Sequence, residues 1–289
     1  MLLDEECKGC LYKSQLNKVE REKGQDDNLV KFKTRVASLC ENPPKNYCAP
    51  LLMRDIDAIH REIYGSGIDY SRERTLFNCA LLKLEEGLFA TIMRTENPLT
   101  EAMKYAMAAN YIDFARLSDL DESAVDLVMQ SAARAVPNPA VIKSLESKLK
   151  NAATLLYIHD NCGEIVLDKI LIRTIKKLYP QIEVTSVVRG SDIINDVTKK
   201  DAEQIGLYSV AKVIDNGTNV PGTFLKEVSP EVLTLLDKSD VIISKGLGNL
   251  ETLYGEGYEI FYSFTCKCGH IAEKFNAPLW SAVLAEEKI

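Results

Sequence analysis

Four polar clusters each follow a short apolar or β-branched run, and together they hold groups suited to a cation bound beside an anion. The first is Asp160-Asn161-Cys162-Gly163-Glu164, after Leu155–Ile158. An aspartate and an amide offer two hard oxygen ligands, Gly163 permits a close turn, and the N-terminus of a following helix favours an anion. A helix cap needs only one of Asp160 and Asn161, so the pair points beyond capping. The second cluster is Arg189-Gly190-Ser191-Asp192 with Asn195-Asp196-Val197-Thr198. Arg189 can reach a phosphate or a carboxylate, and Asp196 is either a cap or a second acidic ligand. Two acidic strand-to-helix junctions side by side make an oxygen-rich site. Such a site fits magnesium, manganese or a similar divalent ion and does not fit structural zinc.

The third cluster, Ser244-Lys245-Gly246-Leu247-Gly248-Asn249-Leu250-Glu251, joins glycines that let backbone amides approach an anion to a positive charge at Lys245. Its order of lysine and glycines is not that of a P-loop, and the plainer alternative is a glycine-rich turn with a solvated lysine. The fourth, Thr265-Cys266-Lys267-Cys268-Gly269-His270, adds a second lysine. Cys266 and Cys268 alternate across a strand and make poor joint ligands. His270 is expected at a helix start, Asp215-Asn216-Gly217-Thr218 as a turn, and His60 on an exposed helix surface. His159 belongs to a strand tip, but one histidine makes no triad. A metal ion, Arg189, Lys245, Lys267 and helix N-termini in one crevice predict phosphoryl transfer to water. The metal would polarise a phosphate oxygen and position or ionise a water, and Lys245 and Lys267 would stabilise the phosphoryl charge. No Asp-x-Asp pair follows the first run, which favours direct hydrolysis over an aspartyl-phosphate intermediate. The sequence has neither a Gly-x-Ser-x-Gly elbow nor a Gly-x-Gly-x-x-Gly fingerprint, against a serine hydrolase and an ordinary NAD enzyme.

The elements that must position these clusters change character near residue 150. Before it, apolar residues recur at helical spacing. Leu52, Ile56, Ile59 and Ile63 predict one helix face, and Asp26 or Asp27 would cap a helix through Val30, Phe32 and Val36 that ends before Pro43-Pro44. Further helices are predicted over about 71–95, from Pro98 to about Tyr111, and over 122–135 and 139–150. After it, short strands at Thr154–His159, Glu183–Val188, Val210–Ile214, Val241–Ser244 and Ile260–Thr265 alternate with helices. One helix carries Leu167, Ile170, Leu171, Ile175 and Leu178; one runs from about Asn195 to Gly206; one starts at Ser229-Pro230; one lies around 249–254 and one around 268–276. Alternation at this spacing predicts a mostly parallel sheet with helices on both faces, in a helical domain over 1–150 joined to a Rossmann-like α/β domain over 151–289. Ligands of such sheets bind outside the carboxyl ends of the strands, which brings the four clusters into one crevice.

The chain has 289 residues, 46% of them hydrophobic and 27% charged, ordinary for a globular protein with a sizeable core. Its 35 basic and 42 acidic side chains give a net charge of −7, against a nucleic-acid partner. No apolar run reaches the length of a membrane span, and the start lacks a basic signal-peptide region, so a cytoplasmic location is expected. Eight cysteines, at 7, 10, 40, 48, 79, 162, 266 and 268, are then read as thiols. Cys7-Lys-Gly-Cys10 has the spacing of half a zinc site, which Cys40 and Cys48 would complete; buried thiols in a helical domain are the alternative.

Asp160-Asn-x-Gly-Glu, Arg189-Gly-x-x-x-x-Asn-Asp-Val-Thr, Ser244-Lys-Gly-x-Gly-Asn-x-Glu and the strand end at Lys267-Cys resemble the damage-control phosphatase family, also known as domain of unknown function 89. Cys7-x-x-Cys10 and Asn110-Tyr-Ile-Asp113-Phe are similar to its prokaryotic branch. The resemblance implies a helical domain on a Rossmann-like three-layer α/β/α domain and a phosphatase dependent on one divalent ion, magnesium, manganese, cobalt or nickel. It further implies a small phosphorylated metabolite, such as a sugar phosphate, as substrate. Carried over by motif, the metal ligands are Asp160, Asn161 and Asp196, with Lys245 beside them in catalysis. Substrate contacts fall on Glu164, Lys245, Asn249 and Lys267. Arg189, Asn195, Gly246 and Glu251, in the same motifs, and Asn110 and Asp113 complete the candidate set. The family's Asp-Pro-Tyr stretch reads Ile68-Asp69-Tyr70 here. Two other classes compete: an S-adenosylmethionine-dependent methyltransferase, for which no glycine-rich nucleoside loop follows the first strand, and a metal-stabilised binding module without catalysis.

Overall fold

The computed structural model describes residues 1, 3–67, 70–109 and 122–288. Ile68, Asp69, Asn110, Tyr111 and Asp113 therefore lie outside the described residues. Eight helices come first: α1 (Glu5–Lys23), α2 (Asp27–Glu41), α3 (Ala49–Tyr64), α4 (Ser71–Leu82), α5 (Glu85–Ile92), α6 (Pro98–Ala108), α7 (Glu122–Arg134) and α8 (Pro139–Asn151). Asp26 caps α2 by accepting from the Leu29 amide, and Gly65 closes α3 in the left-handed conformation that glycine adopts without penalty. Helices α1–α3 bury Leu16, Val19, Leu29, Phe32, Val36, Leu52, Ile56 and Ile59 against one another. On α2 Val30 is exposed, and Leu29, Phe32 and Val36 face the core.

His60 is buried, contrary to the exposed position expected from its offset. Its ring packs edge-on to Phe32 and stacked on Tyr64, and Nδ1 lies 2.7 Å from the Ser66 carbonyl oxygen. The single helix expected over 71–95 is two. A turn at Lys83–Leu84 separates α4 from α5 and lets Glu85 reach Lys169 and Arg173 at 3.0 and 2.7 Å, a tertiary contact no local pattern encodes.

The second part alternates: β1 (Thr154–Ile158), α9 (Glu164–Leu178), β2 (Glu183–Val188), α10 (Lys199–Gln204), β3 (Lys212–Asp215), α11 (Pro230–Lys238), β4 (Val241–Lys245), α12 (Leu247–Leu253), β5 (Ile260–Thr265), α13 (Gly269–Phe275) and β6 (Ala282–Glu287). The strands form one sheet in the order β3-β2-β1-β4-β5-β6, parallel except that β6 runs antiparallel to β5. Strand β6 is not foreseen in the sequence; it exists by pairing with β5 from Ile260–Glu287 to Thr265–Ala282. The chain winds outward from β1 through β3, then returns to the other side of β1 with β4. A crevice opens at such a reversal, beyond the carboxyl ends of β1 and β4.

Secondary structure changes at residue 150, but packing continues across it. One core joins Phe77, Leu81, Ile92, Met103 and Leu145 to α9 and to one face of the sheet, while Leu156, Ile158, Ile242 and Tyr262 line the core on the other face. Helix α9 lies inside the first core and is buried along most of its length, more than its amphipathic pattern implies. Among the described residues no helix is long and apolar enough to cross a membrane.

Candidate active site

At the end of β1, Asp160 and Asn161 enter the turn before α9. The α9 N-cap position is Gly163, at φ 78°, and no side chain caps the helix there. Neither Asp160 nor Asn161 takes the capping role that competed with ligation. The Asn161 amide nitrogen donates to Asp160 Oδ2 at 2.6 Å and to Glu164 Oε1 at 3.1 Å, so Asn161 Oδ1 is the amide atom a cation would meet. Gly246, at φ 81° after β4, packs on the Asp160 carboxylate so closely that a Cβ there would stand 2.0 Å from Oδ2. Glycine at 246 therefore makes room for the acid rather than for an anion.

Asp196 reaches the same place from the segment after β2. The predicted helix from Asn195 starts only at Lys199, because Thr198 is its N-cap and Asp201 returns the capping box. Residues 196–198 instead follow a turn and bridge to Asn161 after β1 and to Arg189 after β2. Cys162 N donates to the Asn195 carbonyl at 2.9 Å, Val197 N to the Asp160 carbonyl at 2.9 Å and Arg189 N to the Val197 carbonyl at 2.7 Å. Asn161 and Asp196 pair as an isolated antiparallel bridge.

The electrostatics are those of acids held close together. Burial raises the Asp160 carboxyl well above the usual carboxylate range, with repulsion from Glu164 and Asp196 adding to it; Arg189 and Lys267 pull it back in part. Burial also raises Asp196 and Glu164, against the opposing pull of Arg189 and Lys245 respectively. Acids that disfavour one another's ionisation are stabilised by a shared cation. Two carboxylates and an amide oxygen at one strand edge fit a hard divalent ion. Among the described residues no group of three or more His, Cys, Asp or Glu side chains is arranged to hold a metal. The candidate set differs from such a group because its third member is an amide.

Other candidates are embedded in protein. Arg189 is buried: Nε donates to Asp196 Oδ2 at 2.6 Å, Nη1 to the Gly222 carbonyl at 2.6 Å and Nη2 to the His159 carbonyl at 3.4 Å. The carboxylate it reaches is the protein's own. Lys245, expected to be solvated or to face an anion, is fully buried and donates to Asp168 at 2.6 Å, the Ala106 carbonyl at 2.7 Å and Glu164 at 3.2 Å. Asn249 braces the crevice wall, donating to the Lys245 and His159 carbonyls at 2.7 and 3.0 Å. Lys267 is half-buried, with its charge acting on Asp160 and Glu164. Glu251 does not join the cluster: it lies beside Met1, Cys7 and Cys268, and burial pushes its carboxyl up to about 7. Cys10 is exposed, and Cys40 and Cys48 are buried in different clusters.

Asp168 is a member of the site that its local sequence does not announce. It accepts from Tyr157 Oη at 2.7 Å and lies 3.1 Å from His159 Nδ1, while His159 Nε2 lies 3.0 Å from Ser186 Oγ. An acceptor-only carboxylate fixes a proton on Nδ1. Burial alone would raise Asp168, but Lys245 and His159 outweigh it and hold it below the usual range. The available signal was spacing: Glu164 and Asp168 stand four apart on one helix, in its first two turns, where Ile165, Val166 and Leu167 between them are apolar.

A mostly parallel sheet with an acidic cluster at its reversal point defines a class of α/β ligand-binding proteins. Within it, residues 3–283 match the damage-control phosphatase ARMT1-like domain, and the chain belongs to that family. It is 39% identical over 141 residues to an uncharacterized protein of Methanocaldococcus jannaschii, covering 47% of this chain and 46% of the relative. It is 36% identical over 191 residues to a damage-control phosphatase of Pyrococcus horikoshii, covering 65% and 64%. A damage-control phosphatase of Archaeoglobus fulgidus is 33% identical over 124 residues, 42% of each chain. The matches thus span 42–64% of the length of these curated relatives. A crystal structure of a DUF89 family protein from Pyrococcus horikoshii superposes over the whole of both chains, with a TM-score of 0.83 and 28% identity.

Proposed function

We propose that this chain is a metal-dependent phosphatase of small phosphorylated metabolites such as sugar phosphates, working in the cytoplasm with one magnesium, manganese, cobalt or nickel ion. The observation that carries the reading is the bridge between Asn161 and Asp196, which joins the polar ends of β1 and β2 beside Asp160. Family membership supplies the reaction class. Asp160, Asn161 and Asp196 would hold the ion, which supplies Lewis-acid polarisation of a phosphate oxygen and a more acidic water. Arg189 opposes the effect of burial on the Asp196 carboxylate and aims it. Lys245 neutralises Glu164 and Asp168 in the buried interior beside Asp160, and its effect on the phosphoryl group passes through Glu164. Lys267, half-buried at the rim, is the cation we assign to direct substrate contact, with Asn195, Asn110 and Asp113 as further contacts. The parts are a helical domain over 1–150 and a Rossmann-like domain over 151–289 that share a core.

Phosphate release from a panel of small phosphate esters, measured with each of the four metals and after chelation, tests the proposal. Metal-stimulated release supports it. No release from any ester with any metal rejects it, and metal binding without release points to the non-catalytic module.

A further inference from the structure

We propose that Arg74, on α4, is a positioning residue that holds the metal-binding Asp196 in place by clamping a strained loop. Ile194 has φ 49°, a left-handed conformation that β-branched residues rarely adopt. Such a conformation persists only where the surroundings over-determine it. The Arg74 guanidinium spans it: Nη1 donates to Asp192 Oδ1 at 3.0 Å, two residues before, and Nη2 to the Asp196 carbonyl at 2.7 Å, two residues after. Its own position is fixed by Asp201, at 2.6 Å to Nη2 and 3.4 Å to Nε.

Arg74 is buried, and the cavity of about 600 Å³ beside it is lined by Arg74, Asp192, Ile194, Thr198 and Asp201 but not by Asp160 or Asn161. The guanidinium therefore acts on the ion through the loop and not by contact. Arg189 holds the carboxylate of Asp196, and Arg74 holds its backbone. A planar fork is needed to meet Asp192, Asp196 and Asp201 at once, which a lysine cannot do.

The assignment rests on the metal-dependent reading above, and its test separates the two. Manganese affinity is measured by electron paramagnetic resonance on the full chain. Loss of a group that orients a metal ligand costs about 10–100-fold in affinity, so Arg74→Ala is expected to bind Mn²⁺ at least about tenfold more weakly than wild type. Arg74→Lys, which keeps a charge beside Asp201 and protects the fold, is expected to lose about fivefold. Ile194→Gly, which removes the strain, is expected to restore part of the affinity in the Arg74→Ala background, an outcome a merely structural arginine would not give. Arg74→Lys binding Mn²⁺ within about twofold of wild type overturns the assignment, as does Ile194→Gly adding its own loss to that of Arg74→Ala. A wild type that binds Mn²⁺ but hydrolyses no ester refutes the phosphatase reading and leaves the affinities to judge Arg74. A wild type that binds no Mn²⁺ overturns the Arg74 assignment and leaves the phosphatase reading to the ester panel with the other three metals.

Discussion

Arg189 Nε donates to Asp196 Oδ2 at 2.6 Å, with 1% and 4% of the two side chains exposed. An ion pair this deep adds little net stability as a pair, yet removing one partner strands the other. Arg189→Met is expected to lose about 3–5 kcal/mol in urea unfolding, because Asp196 remains buried without its counter-charge. A loss below about 1 kcal/mol would mean that Asp196 has another partner or access to water.

Gly246→Ala tests the close approach of β4 to Asp160. The added methyl carbon would meet Asp160 Oδ2 at 2.0 Å in a backbone conformation at φ 81°. The variant is expected to be at least about 1–2 kcal/mol less stable and to bind Mn²⁺ more weakly, since the carboxylate must move. Unchanged metal affinity would place Asp160 outside the ion's coordination.

Glu251 has its pKa raised by burial from 4.5 to about 7. The folded state holds a proton that the unfolded chain releases, so this contribution is fully present below pH 4.5 and is lost as pH rises through about 7. The size is at most about 3 kcal/mol. Asp160, Glu164 and Asp196 slope the same way, so the informative quantity is the difference between wild type and Glu251→Gln. The variant is expected to show a flatter stability profile between pH 5 and pH 8. Parallel profiles would contradict the shift.

Lys245 neutralises Asp168 and Glu164 in a fully buried group. Lys245→Met is expected to cost about 3–5 kcal/mol. Adding Asp168→Asn removes one stranded charge and should recover about 1–3 kcal/mol in a double-mutant cycle. Strictly additive losses would show that Asp168 does not depend on Lys245.

What was legible in the sequence is what local pattern encodes. Five of the strands, the Ser229-Pro230 helix start and the grouping of Asp160, Asn161 and Asp196 follow from β-branched runs, caps and the rule that parallel sheets bind ligands at strand ends. What was not legible depends on partners far along the chain. Asp168 meets Lys245 across 77 positions, and Arg74 meets Asp201 across 127. Lys245 read as solvated or anion-facing because its acceptors lie 77 and more positions away, and β6, Ala-Val-Leu-Ala-Glu-Glu, is a strand only because β5 offers it an edge. His60 is buried because Phe32 and Tyr64 converge on it from different turns and helices.

The most direct test compares phosphate release by wild type and Asp160→Ala at saturating Mn²⁺, with urea unfolding of both. Burial and neighbouring acids disfavour the Asp160 charge, so its removal should leave stability unchanged or raised while hydrolysis is lost. Retained hydrolysis in Asp160→Ala, or loss of hydrolysis only in step with loss of folded protein, would contradict a catalytic metal at the end of β1.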